Sequence, residues 1–139
     1  MANEGAGFIL FKHNTVGSAS PLMLALIQDD GVFDIPKGRI DGGESPIEAA
    51  KRECFEECSI VIGTESILFG GSEHVNGRLT LFSASTDGTP SITINPHSGI
   101  IEHAGHKWVT KDEFLSNCLP YLKPGANHFY SILEKTYNP

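Results

Sequence analysis

Apolar residues fall first into short continuous runs and later into stripes at helical spacing. Residues 7–11 and 21–27 are apolar and rich in strand formers. The Gly-, Ser- and Asn-containing segment 14–20 lies between them, so they read as paired strands. Residues 32–35 form a short extended piece ending at Pro36, which cannot donate to a ladder and sends the chain outward into a glycine-bearing loop. From Pro46 the period changes. At about 100° per residue, Ile47, Ala50, Cys54 and Cys58 make an apolar stripe, while Glu53, Glu56 and Glu57 gather on another side with Ala49 among them. The start of this helix is marked by Ser45 as cap, Pro46 at the first helical position and Glu48 completing a Ser-x-x-Glu capping box.

Further strands are expected at residues 66–69, 79–85, 91–94 and 107–109, with turns at Asn76-Gly77 and Asp87-Gly88. Residues 110–117 read as a short amphipathic helix with a second capping box, Thr110 and Glu113, and with Phe114 pointing inward. Pro120, Pro124 and Gly125 interrupt the helical pattern, and a last helix is expected at 126–136 with Phe129, Ile132 and Leu133 on its buried side. Strands before and after a central helix, with another helix at the end, predict an α/β fold with a mixed sheet covered on both faces.

The length of 139 residues predicts a single domain spanning 1–139. Ten Lys and Arg against seventeen Asp and Glu give a formal charge of -7, which argues against an extended nucleic-acid surface but allows a local basic pocket. Lys37 and Arg39, flanking Gly38, are the candidates for it. Residues 1–7 lack a basic region followed by an apolar one, and no run approaches 18 apolar residues, so the expectation is an unanchored cytoplasmic protein with no membrane contact. Cys54, Cys58 and Cys118 are an odd number of thiols, two of them one turn apart on the expected core face, and read as reduced core residues. Zinc is not favoured. No second thiol pair is present, and His103 and His106 in Glu-His-Ala-Gly-His-Lys-Trp lack both i,i+4 spacing and a third ligand.

Three carboxylates on one helix face repel each other unless something positive joins them. Oxygen-only ligands suit a hard cation such as Mg2+, which takes one or two carboxylates and keeps positions for water and substrate phosphates. A solvated acidic face is the plainer reading of Glu-x-x-Glu-Glu alone. The loop before the helix decides between them, because the residues together match Gly-x5-Glu-x7-Arg-Glu-U-x-Glu-Glu-x-Gly-U, where U is apolar, with Gly38, Glu44, Arg52, Glu53, Glu56, Glu57 and Ile60 in place. This resembles the Nudix hydrolase signature over 23 residues. Cys54 replaces the usual aliphatic residue, and Ser59 replaces the glycine after the helix. If the chain turns left-handed at Ser59 it does so with modest strain; otherwise Gly63 makes the turn.

The resemblance implies a Nudix-type α/β/α sandwich with a central mixed β-sheet. It implies that Glu53, Glu56 and Glu57, with a carbonyl near Gly38, bind Mg2+ or Mn2+, and that Glu53 and Glu57 are catalytic, Glu53 being a candidate to take the proton of the attacking water. Arg52 is expected to point away from the carboxylates and to act as scaffold, holding Glu44 or the loop backbone. Glu44 is read as structural, and Gly42 and Gly43 as turn residues. Many Nudix hydrolases add an acidic residue from a later loop, for which Glu102 is the best match, with Asp112 or Glu113 as replacements. The implied activity is hydrolysis of a small-molecule nucleotide, a nucleoside diphosphate linked to another group. Pro36-Lys37-Gly38, Glu102-His103-x4-Trp108 and His128-Phe129 resemble the diadenosine tetraphosphate hydrolase branch. Gly77 stands where that branch often has tyrosine, and Val75 where ADP-ribose hydrolases often have proline. ADP-ribose, nucleoside triphosphates, inositol pyrophosphates and RNA 5′ ends stay open as substrates. A silent nucleotide-binding module is the rival class, and it would be expected to lose metal carboxylates that this chain keeps.

Overall fold

The computed structural model of the chain describes residues 4–12, 21–91 and 104–137. Among the described residues, seven strands form one mixed sheet: β1 (Gly5–Lys12), β2 (Leu22–Ile27), β3 (Phe33–Asp34), β4 (Lys37–Arg39), β5 (His74–Asn76), β6 (Leu79–Ser85) and β7 (Gly105–Val109). The order β3-β2-β1-β6-β5 is completed by β4 against β1 and β7 against β2. Among the described residues, the β1/β6 ladder is the only parallel one, running from Gly5 opposite Leu79 to Phe11 opposite Ser85; the other strand-to-strand ladders are antiparallel, and an isolated parallel bridge joins Phe33 to Cys118.

Side chains of the central strands alternate between two apolar clusters. Ala6, Phe8 and Leu10 of β1, Leu24 and Leu26 of β2, and Phe82 and Ala84 of β6 meet Ala49, Ala50, Cys54 and Cys58 of helix α1 (Pro46–Cys58). Ile9 and Phe11, Met23 and Ala25, and Leu81 meet Phe114 of α2 (Lys111–Asn117) and Ala126, Phe129, Tyr130 and Leu133 of α3 (Lys123–Tyr137). Burial on both faces explains why the strands read as continuous apolar runs. The α/β sandwich expected from the sequence is therefore observed.

The helix α1 begins as expected. Ser45 Oγ accepts from the Glu48 amide at 3.3 Å, and Glu48 Oε1 accepts from the Ser45 amide at 3.0 Å. It ends at Ser59, which takes the left-handed conformation with φ 60° and ψ 24°, so the turn is made there and not at Gly63.

Several expectations need correction. Residues 66–69 are not a strand: one-turn 3-10 helices at Thr64–Ser66 and Phe69–Gly71 flank a single bridge between Ile67 and Ala84. Positive φ at Phe69, Gly70 and Gly71 bends this segment out of any ladder. Ser91 is outside any strand, and 92–94 lie outside the described residues. The second capping box is only half formed. Thr110 Oγ1 accepts from the Glu113 amide, but the Glu113 carboxylate accepts from Lys107 Nζ at 2.7 Å instead of reaching back. α3 starts at Lys123, with Pro124 in its first turn where no amide is missed, and Gly125 continues it. A Cβ on Gly125 would lie 2.6 Å from Leu81 Cδ1, so the glycine marks close packing of helix on sheet. Cys54, Cys58 and Cys118 are buried and free, as expected of core thiols.

Candidate active site

The strand β4 brings the glycine loop onto the acidic face of α1. Gly5, Ala6 and Gly7 of β1 pair with Arg39, Gly38 and Lys37, and α1 packs across both strands. Glu53 and Glu57 are buried, at 8% and 6% exposure, although both are carboxylates on a helix. Burial of such groups requires partners. Glu57 Oε2 accepts from the Lys37 backbone amide at 2.7 Å. The Glu53 carboxylate lies against the α-carbon of Gly38, where any Cβ would collide with both of its oxygens. Gly38 is thus required by a close approach of backbone to carboxylate.

Arg52 ties the loop to the same face. Its Nε and Nη2 grip Glu44 Oε2 and Oε1 at 2.8 and 3.1 Å, and Nη2 also donates to the Arg39 carbonyl at 2.8 Å. Glu44 in turn accepts from the Asp41 amide at 2.9 Å, closing the loop. The Arg52 hydrogen bonds, with the Asp41 amide, hold the Glu44 carboxyl below its ordinary range, and the same Glu44 contact raises the Arg52 guanidinium further above its own. The scaffolding contacts expected of Arg52 are present. Its expected direction is corrected, however, because Nη1 donates to Glu53 Oε1 and Glu56 Oε1, each at 2.9 Å. Glu56 follows Arg52 by four residues, about 40° around the helix, so the two are neighbours on one face.

The oxygen-only character of Glu53, Glu56 and Glu57 fits a hard divalent cation. So does their charge, since Arg52 is one guanidinium divided among Glu44, Glu53 and Glu56. Among the described residues, no three His, Cys, Asp or Glu side chains already stand as a metal-ligating cluster. Arg52 on Glu53 and Glu56, and the Lys37 amide on Glu57, occupy oxygens that a cation would share.

A cavity of about 420 Å3 opens beside Gly38, lined by Lys37, Arg39, Arg78, Leu79, Asn76, Tyr121, Glu4 and Gly5. Lys37 and Arg39, expected at a basic pocket, are both in its wall. The Lys37 ammonium is held by Asp34, at 3.1 and 3.2 Å from its two carboxylate oxygens, and lies 5.7 Å from the Tyr121 ring centroid. Burial lowers the Lys37 pKa, but the Asp34 charge and Tyr121 more than offset it, so the ammonium is held above its ordinary value. Asp34 is itself buried and accepts from the Ile35 amide at 2.8 Å.

Sequence reasoning missed Asp34, Arg78 and Tyr121. Asp34 had a signal, a lone acid inside the apolar run before Pro36. Arg78 and Tyr121 are 43 residues apart and meet only through the fold, where Asn76 Nδ2 donates to the Tyr121 carbonyl at 2.9 Å. Glu102 and His103 lie outside the described residues. Asp112 and Glu113 are poor replacements, because α2 packs through Phe114 into the cluster on the sheet face opposite α1. His106 is exposed on β7. The His128 ring lies beside that of His74, tilted by 40° with centroids 5.0 Å apart, and Phe129 is core.

The sequence matches the NUDIX domain family over residues 5–131. It is 31% identical over 137 residues to a Bacillus subtilis protein bearing the name of an 8-oxo-dGTP diphosphatase, covering 93% of this chain and 80% of that protein. Its fold matches that of a C. elegans Ap4A hydrolase solved as a binary complex, with a TM-score of 0.72 at 18% identity over 96% of this chain and 99% of the other. It also matches the E. coli dihydroneopterin triphosphate pyrophosphohydrolase, with a TM-score of 0.65 at 15% identity over 91% and 93% of the two chains.

Proposed function

This chain belongs to the Nudix family and is a pyrophosphohydrolase, and from that premise we propose that it cleaves a dinucleoside polyphosphate such as diadenosine tetraphosphate, using Mg2+ or Mn2+ held by Glu53, Glu56 and Glu57. The observation that carries the reading is the shared position of Gly38, which touches the Glu53 carboxylate on one side and lines the basic cavity on the other. The likeness in fold to an Ap4A hydrolase supports the substrate class, and the relative named for 8-oxo-dGTP makes a nucleoside triphosphate the alternative.

When bound, the cation supplies charge neutralisation on the diphosphate and acidifies water. The chain's own residues do the rest. Glu53 and Glu57, shielded from solvent, are the groups able to receive the proton of an attacking water, and the Gly38 and Lys37 backbone fixes their carboxylates. Arg52 holds the loop at a constant distance from the helix and shares its charge with Glu53 and Glu56. Glu102 is retained in the proposal as the acidic supplement from the later loop.

The deciding experiment is a panel of diadenosine tetraphosphate, 8-oxo-dGTP, dGTP, ADP-ribose and capped RNA, assayed with Mg2+ or Mn2+ and with chelator, products identified by mass. Preferred cleavage of diadenosine tetraphosphate to ATP and AMP, abolished by chelator and restored by metal, is expected. Preference for another substrate moves the protein to another branch, and full turnover of metal-stripped protein in chelator removes the cation from the proposal.

A further inference from the structure

We propose that His74 and His128 form a two-imidazole site for a transition-metal cation of the class of Zn2+ or Ni2+, which clamps strand β5 to helix α3. The site is independent of what the carboxylate face hydrolyses, since it uses different residues and a different ligand chemistry.

The fold brings together two side chains that lie far apart in sequence. Side chains alternate along β5, so His74 and Asn76 share one face, and Asn76 Nδ2 reaches the Tyr121 carbonyl just before α3. On α3, His128 follows Gly125 by three residues and stands on the same side of the helix. Gly125 makes room for the imidazole opposite. A Cβ there would lie 3.5 Å from His74 Nδ1, so that nitrogen is turned toward α3. The two rings have centroids 5.0 Å apart and planes inclined by 40°. Buried Phe129 meets both edge-on, with centroids 6.4 Å from His74 and 5.1 Å from His128, and so limits how either ring can turn.

The spacing matches a shared ion. Two imidazoles that bind one tetrahedral cation at nitrogen distances of about 2.0–2.1 Å hold their centroids about 5 Å apart. The nitrogens have no competing partner. His74 Nδ1 is buried and makes no hydrogen bond, and among the described residues no hydrogen bond or ion pair engages the His128 ring. The neighbouring imidazole therefore does not satisfy that buried nitrogen, whereas a cation accepting its lone pair does.

Nitrogen ligands set this site apart from the oxygen face of α1. Imidazole suits Zn2+, Ni2+ and Cu2+, while Mg2+ takes carboxylates, water and phosphates. Among the described residues no third His, Cys, Asp or Glu stands with the pair as a ligand, so water completes the coordination. The ion is accordingly exchangeable, unlike one closed in by four protein ligands.

The test uses Ni2+ and Zn2+ as probes on the full chain, in millimolar Mg2+ so that the carboxylates are already supplied with a hard cation. Calorimetric titration should show one imidazole site. His74→Gln and His128→Gln should each weaken it by about 10-fold or more, since loss of a ligand costs at least as much as loss of an outer-shell partner. His106→Gln, on exposed β7, should leave it unchanged. At roughly tenfold excess over Kd the ion should raise the melting temperature of the wild-type chain by about 3–6 °C, and it should do so in neither histidine variant of the pair. Melting curves without added ion confirm folding. His128 is exposed, so His128→Gln keeps the fold and decides the question by itself if His74→Gln does not fold. Binding that is absent from the wild-type chain at millimolar ion, that is unchanged in His128→Gln, or that is weakened as much by His106→Gln overturns the proposal. None of these readings depends on turnover, so failure of the hydrolase panel leaves them intact.

Discussion

Arg52 and Glu44 form a two-pronged ion pair, Nε to Oε2 at 2.8 Å and Nη2 to Oε1 at 3.1 Å, that fastens the helix to the loop preceding it. The remaining Nη1 donor faces Glu53 and Glu56, so one side chain sets both the loop and two carboxylates.

Lysine cannot reproduce that fork. Arg52→Lys should lower kcat/KM by about 10-fold to 100-fold, since misplacement of a site by about 1 Å can cost on that order. Stability should fall by about 1–2 kcal/mol, a modest sum because the Arg52 side chain is 25% exposed and partly screened. Steady-state kinetics and a denaturant melt on the same protein measure both effects.

Gly38→Ala places a methyl group where the Glu53 carboxylate lies. The carboxylate is the end of a flexible side chain and can move, so the cost to folding should stay near 1 kcal/mol while activity drops by about 100-fold or more. A protein that keeps wild-type turnover after this change would show that the position of Glu53 does not matter to the reaction.

Replacing Glu53, Glu56 or Glu57 with Gln preserves shape and removes charge. Each change should slow turnover by about 100-fold to 10,000-fold, equivalent to about 3–5 kcal/mol of barrier. Glu102→Gln should slow it too while shifting stability by less than about 0.5 kcal/mol. Rates indistinguishable from wild type in all of the helix variants would reduce the acidic face to a solvated surface.

Ser59→Gly removes a side chain from a left-handed residue at the end of α1. The gain of about 0.5–1 kcal/mol in relieved strain is partly offset by loss of the 3.3 Å hydrogen bond from Ser59 Oγ to the Ser91 carbonyl. A higher melting temperature is expected, and a lower one would assign more weight to that bond than to the backbone.

His74 is held below its ordinary pKa of 6.5, first by burial and then by the neighbouring His128. The unfolded chain therefore binds the proton more readily, and stability should decline as pH falls through 6.5 toward the lower folded value. His128→Gln removes the charge repulsion but not the burial, so its melting temperature should fall less steeply over the same interval.

Helix α1 was legible because every cue to it is local: cap, proline, stripe and acidic face all lie within Ser45 to Ser59. The signature loop was legible in composition but not in conformation, since Lys37-Gly38-Arg39 has no strand pattern and is extended only because β1 pairs with it. His74-Val75-Asn76 was missed for the same reason, its ladder to β6 being supplied by the rest of the sheet. Residues 66–69 misled in the opposite sense, since Ser-Ile-Leu-Phe has strand composition but is followed by Gly70-Gly71, both at positive φ. The carboxylates could be named from spacing. The cavity could not, because its wall is assembled from four distant stretches of chain.

The parallel ladder between β1 and β6 joins residues 74 apart, as in Gly5 opposite Leu79, and encloses β2, β3, β4, α1 and β5 within one loop of chain. Closing so long a loop costs entropy before any contact repays it, and such pairings slow folding. Helix α1 can form from local signals, but β1 must be seated before β4 can pair with it and press Gly38 against Glu53. During refolding from denaturant, helical signal should therefore return ahead of activity, with catalytic competence arriving only when the two distant strands meet.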